Sequence, residues 1–470
     1  MAFPVDVTTV QGDILSGLLK KLETTVFFQI GDDVQSFRKQ LTQIIPLITT
    51  TPQAAERRAQ VAKNKQEAAQ QGRKADLLPI VGVTLAFSKF GLTKLGITDS
   101  TGDSPFEQGQ LADAPSLADD VSNWLDVFKN GVHGVFIIAG DCQDNIDQQL
   151  TQIEGIFGVG TAQATINEVF RVTGNVRPDD QKGHEHFGFL DGISNPAVTD
   201  FDKTRFPGQE SVPASVILFV EDETKPSWTV GGSFLAFRYL SQLVPEFNDF
   251  LKKNPIVLPG LSPEQGSEFL GARLVGRWKS GAPVDLAPLQ DDPALGADPQ
   301  RNNNFRYDIG DDFTSQDRCP FAAHVRKTNP RNDLEGMANP IPTTPQRIIR
   351  RGIPFGPEVS DAEAAQAKTL TDRGLLFRCY QSSISNGFRF IQTNWANNTG
   401  FPFGKPIPAP GFDAIIGQAS DPTSRTLTGV NPQDQGTSLS LPTQWVVSKG
   451  GEYFFTPSTV ALRDTFALPA

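Results

Sequence analysis

The sequence predicts an α+β protein of two related modules, each an antiparallel sheet with helices on one side. Three observations point there. Strand-type and helix-type periodicities alternate along the chain, and the alternation occurs twice. The 470 residues also exceed one ordinary core, since domains run to roughly 150 residues each.

The elements follow in order. Val81 to Ser88 (VGVTLAFS) alternates as a strand does and runs into a helix start at Lys89 to Gly96. Gly232 to Arg238 (GSFLAFR) does likewise ahead of YLSQLVPEF. Gly134 to Cys142 (GVFIIAGDC) is a buried-type strand, followed by Ile146, Leu150, Ile153 and Phe157 at steps of 4, 3 and 4. Gly374 to Ser382 (GLLFRCYQS) is followed at the same steps by Ile384, Phe388, Ile391 and Trp395. Such steps put four side chains on one helix face. Glu168 to Thr173 and Gln444 to Ser448 supply further strands. With Val81 to Ser88 taken as the counterpart of Gly232 to Arg238, 51 residues separate Leu85 from Phe136, and 141 separate Leu235 from Leu376. The second module then carries an insert of about 90 residues, from about Asn254 to Thr371, rich in Pro, Asp and Asn and so mostly loop. A boundary within Asp200 to Ala214 gives modules 1–207 and 208–470.

Composition narrows the function. Hydrophobic residues at 38% and charged residues at 20% describe a globular chain. A net charge of −11 argues against nucleic acid or an anionic membrane as the partner, since both reward a basic face. Apolar runs such as Val216 to Val220 fall far short of the ~20 residues of a membrane span. The opening MAFPVDVTTVQGDIL has Asp6 and Asp13 where a secretory leader would be basic and then apolar, which fits the cytoplasm by default. Cys142, Cys319 and Cys379 form no CxxC, so neither a disulfide framework nor a CxxCH haem attachment is expected.

Four histidines are available. His184 and His186 form an HxH pair that can chelate a metal on an edge strand, but no third ligand is evident and packing or surface roles fit better. His133, in KNGVHGVF, reads as a strand-entry residue. His324, in RCPFAAHVRKTNP, reads either as a satisfied core residue or as an axial iron ligand with cations beside it for haem carboxylates. In QRIIRRGIPFGP, Arg347, Arg350 and Arg351 flank two isoleucines; they are a solvated edge unless one turns inward to an anion, which a guanidinium can do while charged. Asp191, in GFLDG, sits beside a glycine after an apolar run.

Taken together, VQGDIL, EHFGFLDGISNP, AAHVRKTNPR, RIIRRGIPFG and RGLLFRCYQSSISNGFRFIQTNWANN resemble the dye-decolourising peroxidase family, most closely its fungal members. These motifs span residues 10 to 398 in the family's order. The resemblance implies two ferredoxin-like modules with one non-covalent haem b in the second. It implies His324 as the proximal iron ligand, Asp191 as the distal acid–base residue and Arg350 as the distal arginine. Asp413 would accept the His324 ring N–H, Arg326 would partner a haem propionate, and Gly192, Ile193, Leu375 and Phe377 would line the pocket. Trp395 would be a candidate electron relay, although it also completes a helix face. Where some relatives carry a tyrosine this chain has Phe355, which cannot hold a radical. The implied activity is reduction of hydrogen peroxide with one-electron oxidation of dyes, phenols and similar aromatic donors, with an acidic optimum. Alternatives are a haem carrier or sensor on the same scaffold, another haem enzyme on it, or a Mn²⁺-oxidising variant gathering the ion at Asp361 and Asp372. The resemblance also makes an extracellular location an alternative to the cytoplasm.

Overall fold

The computed structural model describes residues 3–76, 78–407, 409–419, 421 and 424–468. Nine strands join into one sheet: β1 (Leu22–Ile30), β2 (Val81–Ser88), β3 (Gly134–Gly140), β4 (Ile166–Asn175), β5 (Ser233–Gln242), β6 (Ile349–Arg350), β7 (Ile353–Phe355), β8 (Gly374–Gln381) and β9 (Val446–Thr456). Their order is β4-β1-β3-β2-β9-β5-β8-β6, with β7 also paired to β8, and every pairing is antiparallel.

Within that order one pattern occurs twice. In the first half the strands lie fourth, first, third, second. In the second half β9, β5, β8 and β6 lie in the same sequence. Helices α1 (Val34–Ile44) and α2 (Thr51–Gln70) join β1 to β2, and α3 (Gln143–Phe157) joins β3 to β4. This is the ferredoxin-like arrangement, and the halves meet where β2 pairs with β9 through Ser88–Phe454 and Phe87–Phe455. At the far ends β4 approaches β7 so closely that a Cβ on Gly174 would meet Ile353 Cγ2 at 2.4 Å. The sheet therefore curls round on itself.

The alternation of each strand sorts its side chains between two cores. Phe27, Ile137, Leu235, Phe237, Tyr380 and Phe454 fill the inside of the curl. Phe28, Leu85, Phe87, Phe136 and Ile138 face outward and are covered by Phe37, Leu41 and Ile44 of α1 and by Ile146, Leu150, Ile153 and Phe157 of α3. That last set is the predicted helix face. In the second module, α4 (Val244–Lys253) and α5 (Pro263–Val275) cover only part of the outer sheet face. The rest is left to a cavity.

The repeat assignment needs one correction. Ser233–Gln242 is the first strand of its module, whereas Val81–Ser88 is the second of its own. The true counterpart of β5 is β1, whose opening Glu23, Thr24 and Thr25 are polar yet buried and so hide the strand pattern. The insert was therefore overstated: 112 residues separate the starts of β1 and β3, against 141 for β5 and β8. The Ile384–Trp395 run also differs from a regular helix. It folds as a short turn at Phe388–Phe390 and a wider π-type turn at Ile391–Ala396, with all four apolar residues buried.

Burying Glu23 is possible because β8 supplies its cation. Arg378 Nη2, fully buried, donates to Glu23 Oε2 at 2.5 Å and lies 3.7 Å from Asp13 Oδ2. Lys20 Nζ adds a contact to Glu23 Oε2 at 3.0 Å, and the Tyr380 hydroxyl donates to Asp13 at 3.0 Å. Acids from the first module thus close on a cation from the second. Arg378→Met should lower stability by about 3–5 kcal/mol, because it leaves Glu23 without its principal buried partner, and pairing it with Glu23→Leu should restore part of the loss; urea unfolding midpoints of the three proteins check both.

Candidate active site

Helix α6 (His324–Thr328) begins after the buried run Phe321–Ala323. Its first residue turns its ring toward Asp413, whose Oδ2 lies 2.9 Å from His324 Nδ1. The Asp413 carboxylate is fully buried, and its other oxygen accepts the backbone N–H of Ile415 at 2.9 Å and of Ile416 at 3.0 Å. Burial would raise its pKa, but the His324 ring and these two amides outweigh that and hold it below the ordinary carboxylate range. An ionised carboxylate can only accept, so Nδ1 carries the proton. His324 Nε2 then faces the cavity with no hydrogen bond among the described residues.

Asp191 comes from the loop that trails the first module. Gly192 beside it has φ of 83°, a left-handed backbone natural to glycine, and its N–H donates to Asp191 Oδ1 at 2.6 Å. Arg350 lies on β6, paired to Cys379 of β8. Asn195 fastens the two segments: its Oδ1 accepts the Arg350 N–H at 3.0 Å, and its Nδ2 donates to the Arg350 carbonyl at 3.1 Å. Arg350 Nη1 then donates to Asp191 Oδ1 at 2.5 Å. The Asp191 side chain is 38% exposed, but what it faces is the cavity. Burial pushes its pKa up; the Arg350 charge and hydrogen bond, the Gly192 amide and His324 push harder the other way, and the net shift is downward.

Leu375 and Phe377, two apart on β8, line the same cavity, as do Gly192, Ile193 and the β5 residues Arg238 and Leu240. Glu185 is there too; desolvation raises its carboxyl pKa while it accepts from Gln242 and from the amides of Phe187 and Phe189.

Arg326 does not reach this space, which corrects the expectation that it partners a propionate. Two residues beyond His324 on a short helix, it points away from the cavity and is fully buried. Its Nε and Nη2 donate to Asp333 at 2.6 and 2.8 Å, Nη1 to the Cys319 carbonyl and Nη2 to that of Asp312. The rings of Tyr307 and Phe321 lie 4.4 and 4.6 Å from it. Arg277, Arg331 and Arg347 face the cavity instead. Arg277 and Arg331 are anchored through Asn303 Oδ1 at 3.1 and 2.6 Å, and Arg347 through Thr343 at 2.6 Å. Arg331 Nε and Arg347 Nε are buried without a partner. No periodicity marks Arg277 or Arg331 in the sequence; only Arg347 stood in a noted cluster.

The remaining candidates lie elsewhere. His184 Nε2 meets the Lys279 carbonyl at 3.2 Å and His186 Nε2 that of Phe355 at 2.8 Å, so the pair does not converge. His133 Nδ1 accepts the Ile30 N–H at 2.9 Å. Trp395, 3% exposed, is one layer out from the cavity, stacked on Phe401 at 5.4 Å. Asp372 accepts from Tyr239 and Ser241, and among the described residues no group of three or more His, Cys, Asp or Glu is arranged to hold a metal ion.

The cavity, with the open solvent at its mouth included, spans about 1760 Å³ of atom-free space. Apolar walls, one imidazole ring and the guanidinium groups of Arg277, Arg331 and Arg347 suit a flat apolar macrocycle that carries a metal and carboxylates. Haem fits that description.

Comparison with known proteins agrees. The DyP dimeric alpha+beta barrel domain family matches residues 9–178, and the Dyp-type peroxidase C-terminal family matches residues 183–401. Peroxidase 2 of Mycetinis scorodonius is 46% identical over 99% of this chain and 88% of its own length. The structure of an ancestral D-type dye decolorizing peroxidase superposes with a TM-score of 0.92 at 54% identity, covering 99% of this chain and all of its own. That of a dye-decolorizing peroxidase in complex with 2,6-dimethoxyphenol superposes at 0.87 with 48% identity, covering 99% and 100%. The chain belongs to the family of DyP-type, dye-decolorizing peroxidases.

Proposed function

We propose that the cavity binds one non-covalent haem b on His324 and reduces hydrogen peroxide to water while aromatic donors such as phenols and dyes are oxidised one electron at a time. The observation that carries this reading is the ionised Asp191–Arg350 pair facing the same cavity as His324 Nε2. A protein that only carries haem needs no such pair. The phenol complex of a relative supports the donor class.

Haem supplies the iron that binds peroxide and holds the two oxidising equivalents released when its O–O bond breaks. The residues handle the protons and the charge. Asp191 takes the proton from the bound peroxide oxygen and returns it to the departing one, so that water leaves instead of hydroxide. Arg350 keeps Asp191 ionised and stabilises negative charge as the O–O bond lengthens. Asp413 holds the proton on His324 Nδ1 and directs the Nε2 lone pair at the iron, enriching it in electrons. Arg331 and Arg347, which line the cavity, would supply the positive charge for the propionates. Leu375, Phe377 and Ile193, which line the cavity, would narrow the space that peroxide enters. Two electrons from two donors and two protons complete the conversion of one peroxide to two waters.

Asp191→Asn and Arg350→Leu should each slow the reaction with peroxide by at least about 10²-fold, the usual worth of a positioned acid–base group; stopped-flow absorption of the haem band reads this, and wild-type rates in either protein would refute the assignment. The pH profile tests the coupling between them. Because the Asp191 titration lies below the free-Asp value near ~4, peroxide activation should persist at that pH and fail only on further acidification. In Arg350→Leu the burial that opposes ionisation is no longer offset, so the acid limb should move to higher pH.

A further inference from the structure

We propose that Lys327 tunes the haem iron through Asp413: its buried ammonium charge limits how far Asp413 draws the proton away from His324 Nδ1. Lys327 is thus a positioning residue, not a catalytic one, and the inference rests on the reading of His324 as the iron ligand.

Two cations follow His324 on α6, and they are put to different uses. Arg326 is spent on Asp333. Lys327 is also fully buried, yet it does not line the cavity. Its Nζ donates to the Asn398 carbonyl at 2.7 Å and to the Gly411 carbonyl at 2.6 Å. Those two carbonyls lie where one loop leaves and returns. The Gly411 N–H donates to the Thr399 carbonyl at 2.9 Å, and the Asp413 N–H to the Ala396 carbonyl at 3.2 Å. The ammonium therefore sits at the neck of the loop whose returning end carries Asp413.

Two carbonyls alone do not offset the cost of taking a cation out of water. The Asp413 charge is what favours the ionised amine, against a burial that lowers its pKa to about 7. The attraction is mutual, so an ammonium stabilised by Asp413 makes Asp413 a weaker base. Asp413 in turn accepts the His324 Nδ1 hydrogen at 2.9 Å. A stronger acceptor at that place makes the ring more like imidazolate and the iron richer in electrons. Lys327 restrains that push and leaves the cofactor a stronger oxidant toward aromatic donors. Arg425 acts on Asp413 too, but from the far end of the turn, where its Nη1 donates to the Gly417 carbonyl at 2.9 Å. Lys327 rides on the ligand's own helix, so its charge keeps a fixed place relative to both partners of the hydrogen bond.

The test uses full-length, haem-loaded Lys327→Met and Lys327→Gln at mildly acidic pH, where the wild-type amine is charged. The Gln protein keeps N–H donors for the carbonyls and drops the charge. In both, the ferric/ferrous reduction potential should fall, and the iron–histidine stretching band in the resonance Raman spectrum of the ferrous form should move to higher frequency. The rate of phenol oxidation should fall about tenfold. In an Asp413→Asn background, adding Lys327→Gln should leave the band where it was, because the route through the carboxylate is gone. A lysine that only holds the loop gives the opposite signs: Asp413 drifts from the ring, the frequency drops and the potential rises. That result, no shift in either variant, or failure of both to take up haem overturns the proposal. A wild-type protein without an iron–histidine band defeats the reading of His324 and this inference with it, whereas a normal wild-type band with unshifted variants defeats this inference alone.

Discussion

Taking a guanidinium out of water costs several kcal/mol unless partners meet its N–H groups, and this fold does so repeatedly. Where the match is complete the arginine is structural. Arg326 meets Asp333 and two carbonyls, and Arg238 meets both oxygens of Asp119. Arg331 and Arg347, each with a buried Nε that has no partner, line the cavity instead. Arg350 is the intermediate case, with one bond to Asp191 and the remaining capacity turned inward. The architecture follows from this matching, because the partners come from segments far apart in sequence and bind those segments together.

The same rule governs the carboxylates. Asp191 and Asp413 are both held ionised against burial, but by different means. Asp413 is fixed by two backbone amides and a ring N–H, a rigid set that leaves it nothing further to do. Asp191 has one amide and one side chain that can move, and it faces open space. The first arrangement orients a ligand; the second can exchange a proton.

Much of the scaffold was legible because it is written in apolar spacing. Ile146, Leu150, Ile153 and Phe157 form the expected buried face, and β3 and β8 are true counterparts in the two modules. The repeat was misaligned at β1 because Glu23 and the threonines beside it are buried, Glu23 with a partner that lies 355 residues away, at Arg378. A strand whose inner face is polar has no periodicity to betray it. The site divided along the same line. The motifs GFLDG, AAHVRK and RRG carried Asp191, His324 and Arg350 into one cavity, whereas Arg326 was misassigned because nearness in sequence to His324 says nothing about direction on a five-residue helix. Asn195, which fastens the Asp191 loop to β6, lies within a quoted motif, yet nothing in its type announces a clamp.

The position of β9 has a consequence for how the chain is made. It is the last strand of the sheet in chain order, and it is also the one between β2 and β5, which among the described residues alone joins the two halves of the ladder. Emerging from a ribosome, the protein would present two unfinished edges, each a row of unpaired backbone groups, until residues 446–456 arrive to fill the gap between them. Assembly is thus a closing event that waits for residues 446–456 to emerge, and the interval before it is when the nascent chain has most need of a chaperone's protection.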